Sequence, residues 1–166
     1  PPTLASSLGG ETLSYRRLMT PEIRECPERL TAMRRQVIHL HDIGMTIGLG
    51  AQQMRDELVA AGAEVLGAPY ARYHSFGKDE IDIEVGFEVT APVELEGVAM
   101  ATFSAGREAV ATHQGAYLNI PETFSALEKW VAANAAQRDT PREVYLSNPD
   151  EVPMADRVTE IVFPIE

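Results

Sequence analysis

The sequence contains little cysteine, few basic side chains and no long apolar run. Its single cysteine, Cys26, excludes an intramolecular disulfide, which is typical of a reducing compartment, and we therefore expect a cytoplasmic protein. The 14 Lys and Arg residues are outnumbered by 25 Asp and Glu residues, giving a formal charge of −11 over 166 residues. Nucleic acids and anionic lipids are bound by clustered basic side chains. We therefore expect no direct nucleic-acid partner and no membrane partner, and no run approaches the roughly 20 apolar residues of a membrane span.

The charge is distributed unevenly along the chain. Residues 1–35 contain six arginines and four glutamates, a balance of +2, whereas residues 36–166 carry −13. Between Asp79 and Glu96 there are seven carboxylates and no Lys or Arg. We interpret this stretch as a solvated strand edge and loop. The alternative is a cavity mouth that attracts cations by electrostatic steering.

Several enzyme signatures are also absent. The sequence has no P-loop, no dinucleotide-binding glycine motif and no nucleophile elbow. Four histidines (His39, His41, His74 and His113) raise the question of a metal, but no HExxH spacing or cysteine pair fixes a third ligand. No histidine carries an axial haem-ligand signature. We therefore predict neither a metal nor a cofactor.

Apolar periodicity predicts a strand–helix–strand–strand order over residues 30–90. Broken alternation over residues 30–40 predicts a strand, and strict alternation in IDIEVGFEV (81–89) predicts another, after a short strand over residues 70–76. Between them, apolar residues recur at spacings of three and four, as on a helix: Ile47, Ala51, Met54, Leu58 and Ala61.

The second half of the chain repeats this order. A strand over residues 108–113 precedes a helix that starts at Asn119 and Pro121, and strands follow over residues 142–146 and 158–163. The segments PYARYHS (69–75) and PREVYLS (141–147) match in their proline and tyrosine positions. An internal repeat of this kind predicts two like modules, about 21–90 and 98–166, that share one sheet around a pseudo-twofold central cleft.

The first residues show neither helical nor strand periodicity. Because Met19-Thr20-Pro21 resembles a natural start, we interpret residues 1–18 as a remnant of cloning or a disordered arm. Residues 19–166 are then expected to form one domain.

An ordered set of motifs resembles one known family. GAPYARYHSF, DEIDIEVGFEV, GREAVATHQGAYLNI, a Trp-bearing helix, REVYLSNP and a terminal EIVFPIE are together similar to the GyrI-like small-molecule-binding domain. The same domain is the effector-binding half of multidrug-sensing transcription regulators. The resemblance covers roughly residues 21–166. It implies an α+β fold, in which a duplicated strand–helix–strand–strand module forms a curved antiparallel sheet with two main helices.

The resemblance also implies a binding site. Family members have a central pocket with aromatic walls and a buried glutamate that receives organic cations, and this glutamate maps onto Glu143. The family commonly has an aromatic residue before that glutamate, whereas this sequence has Arg142. The change removes a stacking wall or places a cation near the mouth of the pocket.

The residues themselves support two interpretations of Glu143. Glu143 and Tyr145 are two apart on a strand and leave the same face, and the repeat places Tyr73 opposite them. On spacing alone, a solvated edge-strand glutamate is the simpler interpretation, but the resemblance favours a buried carboxylate that binds organic cations beside tyrosine rings. Further candidate walls are Tyr117, Phe87 and Trp130, each of which could equally be core.

Three functions follow from this site. The first is a stand-alone protein that binds aromatic or lipophilic organic cations. The second is a hydrolase of cyclopropane-containing toxins, in which Glu143 and Tyr145 act as acid–base partners, because burial moves a glutamate pKa toward neutrality. The third, also implied by the family, is a protein that binds gyrase or another macromolecule.

Overall fold

The structure is a computed structural model and describes residues 20–166. This part of the chain contains eight antiparallel strands and two α-helices. The arm predicted for residues 1–18 lies outside the described residues. The strands are β1 (Glu22–Cys26), β2 (Arg29–His39), β3 (Val65–Phe76), β4 (Glu80–Val89), β5 (Ala99–Phe103), β6 (Gly106–Gln114), β7 (Arg142–Tyr145) and β8 (Val158–Ile165). The helices are α1 (Ile43–Ala60) and α2 (Ile120–Asn134). The predicted α+β fold is confirmed.

The strand order follows a pseudo-twofold axis. The sheet runs β1-β6-β8-β7-β3-β4-β2-β5, so β2, β3 and β4 mirror β6, β7 and β8. The axis passes between β3 and β7, where Ala71 pairs with Glu143, the two positions that the repeat aligns. The edge strands are exchanged, because β1 pairs with β6 and β5 pairs with β2.

The helices leave the centre of the sheet uncovered. Helix α1 packs on β3 and β4, and α2 packs on β6 and β8. Their apolar stripes share one core with strand side chains on the side of the sheet that faces the helices: Leu58 and Leu127 from the helices and Phe87 and Phe163 from the strands all belong to it. Because neither helix packs on β7, a cleft remains between them whose floor is the β3–β7 pair.

The sheet is strongly rolled. Arg29 on β2 forms an ion pair with Glu108 on β6, although five strand spacings of ~4.8 Å separate these strands in the sheet order. Two side chains cannot span that distance across a flat sheet. The sheet therefore curls around the face that carries these residues. We call this the inner face, and the face that carries the helices the helix face.

Differences from the predicted elements are local. Strands β1 and β5 were not predicted, because five residues give too little periodicity. Strand β3 begins at Val65 rather than Tyr70, and its register shifts between Leu66 and Tyr70, where Gly67 has a φ of 73°. This bulge interrupts the alternation on which the prediction relied.

Candidate functional site

A cavity of about 1340 Å³ opens between α1 and α2. This volume exceeds the roughly 300–1,000 Å³ of ordinary ligand pockets. Glu143 and Tyr145 from β7 and Tyr73 from β3 lie on its floor, since they alternate onto the helix face of the central strands. Aromatic side chains complete the lining: Phe76, Phe87, Tyr117 and Phe124.

The floor of the cavity is a carboxylate held by two phenols. The Tyr145 hydroxyl donates to Oε2 of Glu143 at 2.6 Å, and the Tyr73 hydroxyl donates to the same oxygen at 3.4 Å. The two hydroxyl oxygens are 3.3 Å apart. Oε1 of Glu143 accepts no hydrogen bond from the described residues, and the carboxylate forms no ion pair with them. One carboxylate oxygen therefore remains for a molecule in the cavity.

Burial governs the acid–base properties of this cluster. Glu143 is 8% exposed and Tyr145 is 7% exposed. Burial raises the pKa of Glu143, although the Tyr145 and Tyr73 hydroxyls and the nearby His113 pull it down. Burial also raises the pKa of Tyr145 and that of Tyr73, and the Glu143 charge adds to both shifts. The two phenols are therefore firmly protonated donors.

His113 closes the end of β6 behind this cluster. It is buried, and its Nε2 atom donates to the carbonyl oxygen of Ala116 at 3.0 Å. Its Nδ1 atom lies 2.9 Å from the Thr123 hydroxyl. These bonds tie the strand to α2 and fix the turn that carries Tyr117, whose ring meets Tyr145 edge-on at 5.8 Å between centroids.

The α1 wall contains features that the sequence analysis missed. Gly44 and Gly48 line the cavity, and a Cβ atom at either would meet nothing within 4 Å. Arg55, one turn before the end of the helix, also lines the cavity. Its guanidinium lies 4.8 Å from the centroid of the Phe87 ring, and its Nη2 atom donates to the Gly67 carbonyl at 2.7 Å.

Of the seven predicted ligand residues, six border this cavity: Glu143, Tyr145, Tyr73, Tyr117, Phe87 and Arg142. Trp130 does not. It is half-buried and packs against the core, because its position on α2 lies beside Val131 and away from the cleft.

The structure does not place the Arg142 guanidinium in the cavity. Arg142 borders the cavity, but neighbouring residues of a strand point to opposite faces. Its side chain therefore projects from the inner face, whereas that of Glu143 projects from the helix face. There it donates to Glu108 at 2.6 Å and lies 4.6 Å from the Phe103 ring centroid. The cation suggested for the pocket mouth is therefore held on the inner face instead, by Glu108.

The inner face holds a network of arginines and glutamates. Glu108 is bound by Arg29 and Arg142, and its pKa is low because these cations outweigh its burial. Glu84 accepts from Tyr70 at 2.7 Å and from Arg72 at 3.0 and 3.1 Å, and its pKa is low for the same reason. A small cavity of about 220 Å³ lies in this network, beside Cys26.

Glu84 corrects the interpretation of the acidic stretch Asp79–Glu96 as wholly solvated. It is 1% exposed, because β4 is the strand that Arg72 and Tyr70 of β3 face across the ladder. The other carboxylates of the stretch are exposed or half-buried.

No helix within residues 20–166 is both long and apolar enough to cross a membrane. Within the same residues, no group of three or more His, Cys, Asp or Glu side chains is placed to hold a metal ion.

Comparisons with known proteins bear on the family and the fold of the chain. A family model described as "GyrI-like small molecule binding domain" matches residues 19–166. The comparison with curated proteins finds no match.

Solved structures with the same fold include three of different description. The C-terminal domain of EcmrR is 22% identical with a TM-score of 0.75, and the match covers 87% of this chain and 96% of that one. A hydrolase from Listeria innocua is 12% identical with a TM-score of 0.59, over 95% and 98% of the chains. The protein SAV2435, solved with bound tetraphenylphosphonium, is 13% identical with a TM-score of 0.58, over 88% and 93%.

Proposed function

The chain belongs to the GyrI-like small-molecule-binding family, and we propose that it binds aromatic or lipophilic organic cations in the cavity between α1 and α2. The observation that carries the proposal is the Glu143 carboxylate. It is buried, it has only phenol donors, and one of its oxygens accepts nothing from the described residues. An ionised carboxylate in such surroundings is costly unless a cation compensates it.

The surrounding rings support the same ligand class. Tyr73 and Tyr117 line the cavity, and a delocalised cation over such a ring gains ~0.5–2 kcal/mol. Tetraphenylphosphonium, the molecule bound to SAV2435, is a cation of this kind and serves as a probe. The net charge of −11 adds long-range attraction for cations.

Titration calorimetry with tetraphenylphosphonium tests the proposal. We expect Glu143→Gln to weaken binding by about tenfold or more, equivalent to ~1.4 kcal/mol. The change keeps the size of the side chain and removes its charge. Triphenylphosphine oxide, a neutral analogue, should bind wild type and Glu143→Gln with similar affinity.

Glu128→Gln provides the matched control. It removes one carboxylate from an exposed position on α2, outside the cavity lining, and should leave the affinity within about twofold. Equal affinity of wild type and Glu143→Gln for the cation would contradict the role of Glu143 as counter-charge.

A second candidate function is hydrolysis of cyclopropane-containing toxins at the same site. The 2.6 Å bond between the Tyr145 hydroxyl and Glu143 supports it, because a carboxylate of raised pKa beside a phenol can exchange a proton with a water or a leaving group. A relative described as a hydrolase shares the fold. Mass spectrometry of a cyclopropane substrate after incubation separates the candidates: a product heavier by one water supports the hydrolase, and intact ligand supports the binding protein.

A further inference from the structure

Arg55 gives the cavity a positive group opposite in character to Glu143. Among the charged side chains of the lining, Arg142 is bound to Glu108 on the inner face, and Asp56 and Asp150 are exposed at the rim. Arg55 is half-buried, and no described carboxylate forms an ion pair with it. It is the one arginine of the described lining whose charge is not compensated in this way.

The contacts of Arg55 orient its guanidinium but leave its charge and most of its N–H donors available. The Phe87 ring lies against one face of the guanidinium, and the Gly67 carbonyl accepts from Nη2. A guanidinium has five N–H donors, so four remain for other acceptors. Rings and carbonyls orient an arginine in this way without neutralising it, and an oriented guanidinium matches the two oxygens of a carboxylate.

The helix beside Arg55 leaves room for a ligand to reach it. Gly44 and Gly48 lie on the same side of α1, at spacings that place them along the cavity. Because they lack side chains, and a Cβ atom at either would meet nothing within 4 Å, this side of α1 leaves open space along the cavity. Arg55 and Glu143 line the same cavity, whose volume of about 1340 Å³ is large enough for a ligand of several rings.

We propose that the cavity selects amphoteric ligands, with a cationic or hydrogen-bond-donating group at Glu143 and a carboxylate or comparable acidic group at Arg55. This inference rests on the proposed function and narrows its ligand class. A cation without an acidic group satisfies Glu143 but leaves the Arg55 charge uncompensated. A simple anion meets the opposite problem at Glu143, in a protein of net charge −11.

A pair of xanthene dyes tests the proposal by fluorescence anisotropy. Rhodamine 123 is a cationic methyl ester, and rhodamine 110 is the corresponding free acid, so the two differ at one group. We expect wild-type protein to bind rhodamine 110 at least about fivefold more tightly than rhodamine 123. In Arg55→Gln this preference should fall within about twofold, through loss of affinity for the acid alone.

Two further variants separate the charge of Arg55 from its structural contacts. Arg55→Lys keeps the charge and should retain part of the preference for the acid. Arg34→Gln removes an arginine that pairs with Glu57 outside the cavity lining, and it should retain the full preference. Thermal melting of each variant confirms that it is folded.

The outcomes distinguish this inference from the proposed function. An equal acid-to-ester ratio in wild type and Arg55→Gln, with both dyes bound, overturns the role of Arg55 and leaves cation binding at Glu143 standing. A wild-type protein that binds neither the dyes nor tetraphenylphosphonium overturns the proposed function, and the narrower ligand class falls with it.

Discussion

The buried glutamates on the two faces of the sheet differ in the groups that bind them. Glu143 on the helix face is 8% exposed, and Glu84 and Glu108 on the inner face are 1% and 2% exposed. The inner-face pair is bound by arginines, whereas Glu143 has two tyrosine hydroxyls and no ion-pair partner among the described residues. Burial alone therefore does not determine whether a carboxylate of this protein is paired with a cation.

The pKa shifts express the same difference. The pKa of Glu84 and that of Glu108 lie below the ordinary value, because arginine and tyrosine donors outweigh the effect of burial. The pKa of Glu143 lies above it, because burial outweighs the two phenols. The inner-face carboxylates are satisfied without a ligand, and a ligand cation at Glu143 would stabilise a charge that the protein leaves exposed to the cavity.

The strongest test of this contrast removes a charge from the inner face. Glu108→Gln leaves Arg29 and Arg142 without their shared partner in a buried network. Breaking a buried pair in this way costs about 3–5 kcal/mol, which urea denaturation should detect as a lower free energy of unfolding.

Asp82→Asn is the matched control for Glu108→Gln. It breaks a more exposed pair with Arg35, so the loss should stay below about 1 kcal/mol. If the two variants lose similar amounts of stability, the buried pairs of Glu108 contribute no more to folding than the exposed pair of Asp82.

Glycine-to-alanine variants compare the packing density on the two faces, because each adds a single methyl group. A Cβ atom at Gly86, on the inner face, would lie 2.6 Å from the Ala32 carbonyl oxygen and 2.8 Å from the Tyr70 hydroxyl. Gly86→Ala should therefore destabilise the protein by about 1–3 kcal/mol. At Gly48 the Cβ would meet nothing within 4 Å, and Gly48→Ala should stabilise α1 by about 0.5–1 kcal/mol.

Gly50→Ala completes this series. Gly50 is in the same helix and is also open, but it is not part of the cavity lining. We expect both helix variants to melt at higher temperature, and only Gly48→Ala to change the affinity for a bulky cation. Equal effects of the two variants on this affinity would contradict the placement of Gly48, and not Gly50, in the cavity wall.

The smallest expected effect concerns pH. A raised folded-state pKa means that Glu143 favours folding when protonated, below the unfolded-state pKa, and that this contribution is lost as pH rises through the folded-state value. Glu143→Gln should therefore be more stable than wild type at pH 7 by about 1 kcal/mol, a rise of roughly 2–4 °C in Tm. The difference should vanish below the unfolded-state pKa.

The lowered pKa values on the inner face predict the opposite sign. Stability contributed by Glu84 and Glu108 is present above the unfolded-state pKa and is lost as pH falls through their folded-state values. Melting curves of wild type and Glu143→Gln across pH 3–8 check both directions. A difference between the two proteins that grows toward acid pH would contradict the pKa assigned to Glu143.

The repeat made the floor of the cavity predictable. Matching proline and tyrosine positions made Tyr73 correspond to Tyr145 and Ala71 to Glu143. In the structure Ala71 pairs with Glu143 across β3 and β7, and the Tyr73 and Tyr145 hydroxyls lie 3.3 Å apart. The alternation of 81–89 likewise became β4. The repeat could not show that Arg142 would turn to the inner face and find Glu108, because the roll of the sheet depends on contacts between strands far apart in the chain.

Arg55 illustrates a second limit. It follows the buried Met54, and an apolar stripe indicates which side of a helix meets the core, not which polar neighbours border a cavity. Gly44, Gly48, Gln52 and Arg55 form a stripe at helical spacing next to the core stripe. Two glycines on one side of a helix were the signal that could have identified this wall.

The exchanged edge strands have a consequence for the cavity floor. Strands β3 and β7 share only two residue pairs, whereas β1–β6 and β2–β5 share five each. Each module thus lends a strand to the other, within one chain, as the subunits of a domain-swapped dimer do between chains. The exchanged strands β1 and β5 join the two modules at the outer edges of the sheet. The short seam beneath Glu143 is therefore not the sole connection between the two halves, which are also joined at the outer edges of the sheet.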